Sequence, residues 1–407
     1  VTPASGANRT LDVFLIATEE SGDRLGSALM RALRERTRGQ VRFRGVGGST
    51  MAAEGLATLF PIERLSIIGF TRIVRQIPFL LRTIMQTSEA VLRDPPDVLV
   101  LIDGPDFTHR VARRVRRRAP NLPIVDYVSP SVWAWRPWRA RAMRRYIDRV
   151  LAILPFEPQV HRELGGPPCE YVGHPLQQRL AELRPDGAER DRRATEPPLL
   201  LVLPGSRRGE LESLMPVFGE AVGRIAASGR PLELVLPTMP HLLPLVEQHL
   251  ASWPLRPRVV TTEADKLAAF RRARAALAKS GTVTLELALS GIPMVTAYRV
   301  SSIEAWVARR LIRVPSVILA NLVLGENIVP EFLQEACTAE ALATALQEVL
   351  VDGAARERQL AAFARLDSIM ETAAASPSAR AAEAVLATAD GIRSIVSTDG
   401  NRHVSPR

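Results

Sequence analysis

Short apolar runs recur along the chain, and the stretches between them carry apolar residues at helical spacing. That alternation predicts a parallel α/β sheet. The pattern opens with a strand, LDVFLIA (Leu11 to Ala17), then the loop TEESGD and a helix from about Arg24. It continues with VRFRGVGG, the strand DVLVLID (Asp97 to Asp103), a basic helix from about Thr108, and the strands PIVDYV and VLAILPF. From Ala181 to Pro198 the pattern lapses into AELRPDGAERDRRATEPP, a polar, Pro-rich piece with the composition of a linker.

The alternation then starts again with LLLVLPGS, LELVLP, a strand near Val260, ARAALAKSG and GIPMVTAYR. The expected organisation is a first domain over 1–180, a linker over 181–198, a second domain over 199–370 and a C-terminal helix in 371–407. That helix is expected to return to the first domain or to a dimer mate, with the chain frayed from about Asp390. Two Rossmann-like α/β halves imply parallel sheets facing across a cleft, the usual place for a ligand.

One apolar stretch fits neither sheet. SIIGFTRIVRQIPFLLRTIMQ (Ser66 to Gln86) is broken by Arg72, Arg75 and Arg82, and Pro78 is expected to break or kink it. It is too short and too charged to span a bilayer. Two readings stand: an interfacial helix with its arginines at headgroups, or a helix buried in the core.

Composition changes this picture little. The apolar share of 46% and charged share of 24% are those of a globular protein. Net charge is +10, and Lys266 and Lys279 are the only lysines, which has the look of a genome-wide bias toward arginine. The charge favours an anionic partner over a cationic one. Cys169 and Cys337, far apart, make neither a disulfide framework nor a metal cluster and fit a reducing compartment. No secretory signal is visible, and a cytosolic protein attached to a surface is expected.

Candidate chemistry lies in the loops that follow strands. In LPGSRRGE, Gly205 allows a tight turn and presents Ser206 and Arg207, whose guanidinium can fork onto a phosphate. In KSGTVTLELALSGIP, Ser280, Gly281 and Thr282 stand where a strand ends and a helix begins, an anion site or simply a capped helix. Glu286, one turn after Thr282, can accept both hydroxyls of a ribose. Neither loop is a Walker loop, and VRFRGVGG lacks the dinucleotide spacing.

In the first half, DVLVLIDGPDF ends in Asp103, held by Gly104 and Pro105 where a general base would stand. Asp106 is either a second candidate base or the N-cap of the next helix. No histidine cluster or third carboxylate stands near, so no metal is expected. Finally, YVSPSVWAWRPWRARAMRRY (Tyr127 to Tyr146) puts Trp133, Trp135 and Trp138 beside five arginines. Stacked bases or a phosphorylated lipid headgroup would each suit such a strip.

Taken in order, ESGD, GVGG with MAAEGL, IDGPDF, YVSPSVWAWR, LPFE, VGHP, LPGSR, SGTVTLE, PMVTAYR and LANLVLGENIVPEFLQ resemble the lipid-A-disaccharide synthases, GT-B glycosyltransferases of family 19. The resemblance covers about residues 10 to 370. Two departures stand out: the family's usual GEASGD is TEESGD here, and its IDAPDF is IDGPDF, where glycine is expected to loosen the Asp103 turn.

The resemblance implies an inverting transferase of lipid A (lipopolysaccharide) biosynthesis. UDP-2,3-diacylglucosamine would donate its sugar to 2,3-diacylglucosamine 1-phosphate, giving the β-1′,6 disaccharide 1-phosphate and UDP. It implies Asp103 as the base, and Ser206, Arg207, Ser280, Gly281, Thr282, Glu286 and Asn321 around UDP. Glu19, Ser21, Gly22, Asp23, Ser129, Trp133, Trp135 and Arg136 would line the acceptor side. It further implies no cofactor, a peripheral place on the cytoplasmic face of the inner membrane, and a homodimer exchanging C-terminal elements. His174 in VGHP reads as structural. A nucleotide-sugar epimerase and a nucleic-acid-binding protein are the alternatives; the first has no use for the Ser66–Gln86 stretch, and the second lacks any nucleic-acid motif, so no nucleic-acid partner is expected.

Overall fold

The computed structural model describes residues 10–62, 65, 73–194, 197–229, 231–300, 314, 316–372 and 375–400, the side chains of 73–77 and 392–400 excepted. The chain divides into two compact units: one runs to Pro175 and resumes at Thr372, and the other is Leu176–Glu371.

The strands of the first unit are β1 (Leu11–Ala17), β2 (Val41–Val46), β3 (Ala57–Thr58), β4 (Val98–Ile102), β5 (Ile124–Tyr127), β6 (Arg149–Ala152) and β7 (Cys169–Tyr171). They lie in the order β3-β2-β1-β4-β5-β6-β7, all parallel. Alternate residues of a strand point to opposite faces. Val13, Leu15, Val98 and Val100 therefore pack with Leu29, Met30 and Leu33 of the helix Glu20–Arg36. Phe14, Ile16, Leu99 and Leu101 pack on the other face with Val111 and Val115 of the helix Pro105–Arg118. Each apolar run thus feeds two cores, and so it does not alternate with polar residues.

The last helix, Pro377–Gly400, belongs to this unit and stays helical past Asp390. Ala381, Ala382, Val385 and Ala389 are buried in the core beneath the helix Glu20–Arg36, and Glu383 pairs with Arg36 at 2.7 Å. Pro78 does not break its segment, because the helix Ile73–Arg93 runs through it. One missing backbone bond costs about 3 kcal/mol, and burying Ile84 and Val91 offsets that at about 1.5–3 kcal/mol each. Residues 66–72 of that apolar stretch lie outside the described residues.

In the second unit, β8 (Leu199–Leu203), β9 (Glu233–Pro237), β10 (Arg258–Val260), β11 (Ala275–Lys279), β12 (Met294–Tyr298) and β13 (Glu331–Leu333) form a sheet ordered β10-β9-β8-β11-β12-β13. It too is parallel. Leu200, Val202, Leu236 and Leu277 pack with Leu214 and Phe218 of the helix Arg208–Ala226 and with Leu346 of the helix Ala339–Leu350. The segment read as a linker holds two short helices, Leu180–Leu183 and Gly187–Arg193. Arg193 ties it down by donating to the carbonyls of Phe270, Arg271 and Gly291. That segment is therefore part of the second unit rather than a free tether. Among the described residues no helix is long and apolar enough to cross a membrane.

Candidate active site

Strand order turns back between β1 and β4 in the first sheet and between β8 and β11 in the second. At such a point the loops leaving the carboxyl ends part toward opposite faces and leave a crevice. Asp103 stands at the first of these, as the residue after β4. It and Gly104 both have left-handed backbones, with φ of 56° and 55°, a conformation that costs a side-chain-bearing residue about 1–2 kcal/mol. Three bonds hold it. The Asp103 N–H donates to the Tyr127 carbonyl at 3.0 Å, Thr108 Oγ1 donates to the Asp103 carbonyl at 3.0 Å, and the Gly104 N–H donates to Asp103 Oδ1 at 2.7 Å.

Burial raises the Asp103 carboxyl above the ordinary aspartate value; the Gly104 N–H opposes this, and the charge of Asp126 adds to it. A base lifted toward neutrality is suited to proton transfer. Glycine does not loosen this turn. A Cβ at 104 would lie 2.0 Å from Thr18 Oγ1, so the buried Thr18 already fills the space an alanine would take.

Asp106 is not the N-cap of the following helix. Pro105, with its preset φ, starts the helix, Gly104 takes the cap position, and Asp106 falls in the first turn. There it is exposed and pairs with Arg139 at 2.7 Å.

The ESGD loop divides. Glu19 and Ser21 are exposed. Gly22 lets the helix sit close on β4, where a Cβ would be 3.3 Å from the Ile102 carbonyl. Asp23 is buried, and both its oxygens are taken: Oδ1 accepts from the Gly48 and Met51 N–H groups at 2.7 and 3.1 Å, and Oδ2 from the Thr50 N–H and hydroxyl at 2.9 and 2.5 Å. Asp23 thus holds the GVGG loop and is not available to an acceptor.

The Trp/Arg strip is anchored from behind. Ser129 Oγ lies 2.8 Å from His161 Nε2. The Trp133 indole N–H donates to Glu157 Oε1 at 3.2 Å, and its ring meets Phe156 edge-on at 5.5 Å. Trp135 lies against two guanidiniums, Arg136 at 4.1 Å and Arg139 at 5.5 Å, while Trp138 is 62% exposed. Sequence reasoning missed Glu157 and His161. The available signal was LPFE itself, an acid at the start of the helix that follows a buried strand. Burial pushes the Glu157 carboxyl up to about 8, against the Leu154 and Trp133 N–H groups that favour its charge. Burial likewise lowers the His161 imidazole, and desolvation pushes His174 down to about 4, leaving it neutral.

At the second crevice, Arg207 is exposed and makes no ion pair among the described residues. Gly205 turns the loop at φ 125°, where a Cβ would strike the Glu210 carboxylate at 2.3 Å. Glu210 Oε2 accepts from the Ser206 and Arg207 N–H groups at 2.9 and 3.3 Å. Ser280 is buried, its hydroxyl without a partner among the described residues, and Gly281 and Thr282 lead into the helix Val283–Leu289. Glu286 Oε2 is held by Lys266 at 3.0 Å. Asn321 turns inward: its amide donates to the Val329 carbonyl and accepts from the Ile328 and Val329 N–H groups. It pins the loop after the helix Leu319–Leu324. Among the described residues no group of three or more His, Cys, Asp or Glu is placed to hold a metal.

Solved structures share this pair of sheets. MurG of Acinetobacter baumannii matches with a TM-score of 0.58 at 14% identity, covering 93% of this chain and 99% of that one. CalG4, the calicheamicin glycosyltransferase, matches with 0.58 at 18% identity, covering 94% and 99%. The class is therefore GT-B, two Rossmann-like domains with parallel sheets. The family follows from sequence. The lipid-A-disaccharide synthetase model matches residues 13–385. The lipid-A-disaccharide synthase of Bradyrhizobium diazoefficiens is 65% identical over 92% of this chain and 96% of its own length. That of Nitrobacter hamburgensis is 63% identical over 94% and 97%. The chain belongs to the lipid-A-disaccharide synthase family of hexosyltransferases.

Proposed function

We propose that this enzyme joins UDP-2,3-diacylglucosamine to 2,3-diacylglucosamine 1-phosphate, giving the β-1′,6-linked disaccharide 1-phosphate and UDP with inversion at the anomeric carbon. The observation that carries the reading is the Asp103 turn: a half-buried carboxylate with a raised pKa, fixed by three hydrogen bonds at a strand end. Asp103 takes the proton of the acceptor's 6-hydroxyl as that oxygen attacks C1 of the donor. The bond from C1 to the diphosphate breaks, and its electron pair leaves with UDP. The unpaired Arg207 supports stabilisation of that charge, together with the Gly281 and Thr282 amides. Glu286, with one oxygen on Lys266, offers the other to the ribose.

Ser129, Trp133, Trp135 and Arg136 supply an aromatic, cationic surface for a phosphorylated, acylated sugar. Phe79, Leu81 and Met85 are 40, 47 and 43% exposed on the helix that carries Arg82, which supports peripheral contact with a membrane surface. Two chains would form the working dimer.

The test is a detergent-micelle assay of disaccharide and UDP formation. Asp103→Ala should lower turnover by about 10²- to 10⁴-fold. Turnover that survives moves the base elsewhere, with Asp106→Ala the next variant. A folded wild-type chain that makes no disaccharide overturns the reading.

A further inference from the structure

The chain's 53 basic side chains are arginine at every position but Lys266 and Lys279. Both lie in the second unit, and each is held by a carboxylate: Lys279 Nζ stands 3.1 Å from Glu210 Oε1, and Lys266 Nζ 3.0 Å from Glu286 Oε2.

Lys279 closes β11, and Glu210 lies just after the loop that leaves the neighbouring strand β8. Their ion pair bridges the crevice of this sheet, with side chains only 19% and 16% exposed. The second oxygen of Glu210 accepts two successive loop amides, those of Ser206 and Arg207. A carboxylate that receives two amides and an ammonium occupies the donor set an external anion would use. Next to Lys279 in the chain, Ser280 is 5% exposed, and its buried hydroxyl has no hydrogen-bond partner among the described residues.

We infer that Lys279 is a phosphate-binding residue and that Glu210 is its resident counter-ion, which the diphosphate of a nucleoside-diphosphate sugar displaces from it. The inference rests on the nucleotide-sugar reading above. An ammonium is a compact point charge on a flexible stem and can swing between two acceptors, whereas a guanidinium must turn a planar fork. Space favours the smaller group: a Cβ at Gly281 would stand 3.3 Å from Nζ, and the Tyr298 ring lies 5.4 Å away. Glu210 keeps its two loop amides throughout, so the loop holds its shape as the cation changes partner.

The experiment measures UDP affinity by calorimetry and uridine affinity by NMR titration for the full chain, Lys279→Met, Lys279→Arg and Glu210→Gln. Lys279→Met should weaken UDP binding about ten- to a hundredfold and leave uridine binding unchanged. Lys279→Arg should restore part of the loss. Glu210→Gln, which keeps the amide acceptor without the competing charge, should tighten UDP binding about threefold. Unchanged UDP affinity in Lys279→Met overturns the inference. So does an equal loss for UDP and uridine, which marks a collapsed site. If the unmodified chain binds neither molecule, the nucleotide reading falls and takes the inference with it.

Discussion

Replacing Gly104 by alanine adds one methyl group, and the structure specifies what that methyl meets. It would lie 2.0 Å from Thr18 Oγ1 and 3.1 Å from both Cβ and Cγ2 of the same side chain. Two costs add. The left-handed backbone disfavours a side chain by about 1–2 kcal/mol, and forcing a methyl into occupied space costs about 1–3 kcal/mol. Gly104→Ala should therefore destabilise the first unit by about 2–5 kcal/mol. The displaced turn is the one that fixes Asp103, and a misplacement of about 1 Å can lower turnover ~10²-fold.

Thr18 supplies the control. Thr18→Gly removes all three opposing atoms, whereas Thr18→Ala leaves its Cβ 3.1 Å away. Combined with Gly104→Ala, Thr18→Gly should recover about 1–3 kcal/mol and most of the turnover, and Thr18→Ala less of each. The left-handed cost remains in every combination. Urea unfolding and disaccharide formation across the double-mutant cycle decide the matter. A silent Gly104→Ala, or a Thr18→Gly that brings no relief, would falsify the reasoning.

Because burial raises the Asp103 carboxyl, the acid limb of kcat/KM should bend above pH ~4, the ordinary aspartate value; a pH–rate profile bending at or below that value removes Asp103 as the base. Asp103→Asn, which tolerates a left-handed backbone and carries no buried charge, should abolish turnover while leaving Tm equal or higher; a clear drop in Tm would show that the carboxylate itself holds the turn. Glu157, pushed up to about 8, lies above its unfolded value of about 4.3, so its stabilisation is full below pH ~4.3 and fades as pH rises through about 8. Glu157→Gln should therefore lose less Tm than wild type between pH 6 and pH 9, and parallel curves would refute this. Asp23→Asn turns an acceptor into a donor facing N–H groups and should cost about 2–4 kcal/mol in urea unfolding, whereas Ser21→Ala, at an exposed position, should cost little.

The sheet class was legible because its signals are local. A strand covered on both faces is largely apolar: β4 and β8 read that way throughout, and β1 and β11 are broken only near an end, by Asp12 and Lys279. Asp103 was legible for the same reason, as a carboxylate ending such a run before Gly-Pro. The direction in which a loop side chain turns is not local. Whether Asp23 meets a ligand or folds back depends on the path of the Gly48–Met51 backbone, 25 to 28 residues away. Asn321 depends likewise on the return of the chain at Ile328 and Val329. The linker reading of 181–198 failed on packing: its charges suggested solvent, but Arg193 reaches inward to three carbonyls.

Six acidic residues of the motifs fall into two groups with different work. Asp23, Glu157, Glu210 and Glu331 each accept N–H donors from nearby loop backbone. Loops and the first turns of helices leave N–H groups without backbone partners, so these need acceptors from side chains. A carboxylate with two oxygens can satisfy several at once and fix the loop's path. Asp103 and Glu286 do otherwise: among the described residues the Asp103 carboxylate accepts only the N–H of its own turn, and Glu286 is held by Lys266 alone. Those two are left with acceptor capacity for a ligand. A motif read as one catalytic unit therefore mixes carboxylates with acceptor capacity to spare and carboxylates that hold the backbone around them. Turnover and unfolding stability have to be measured on the same variant to tell the two apart.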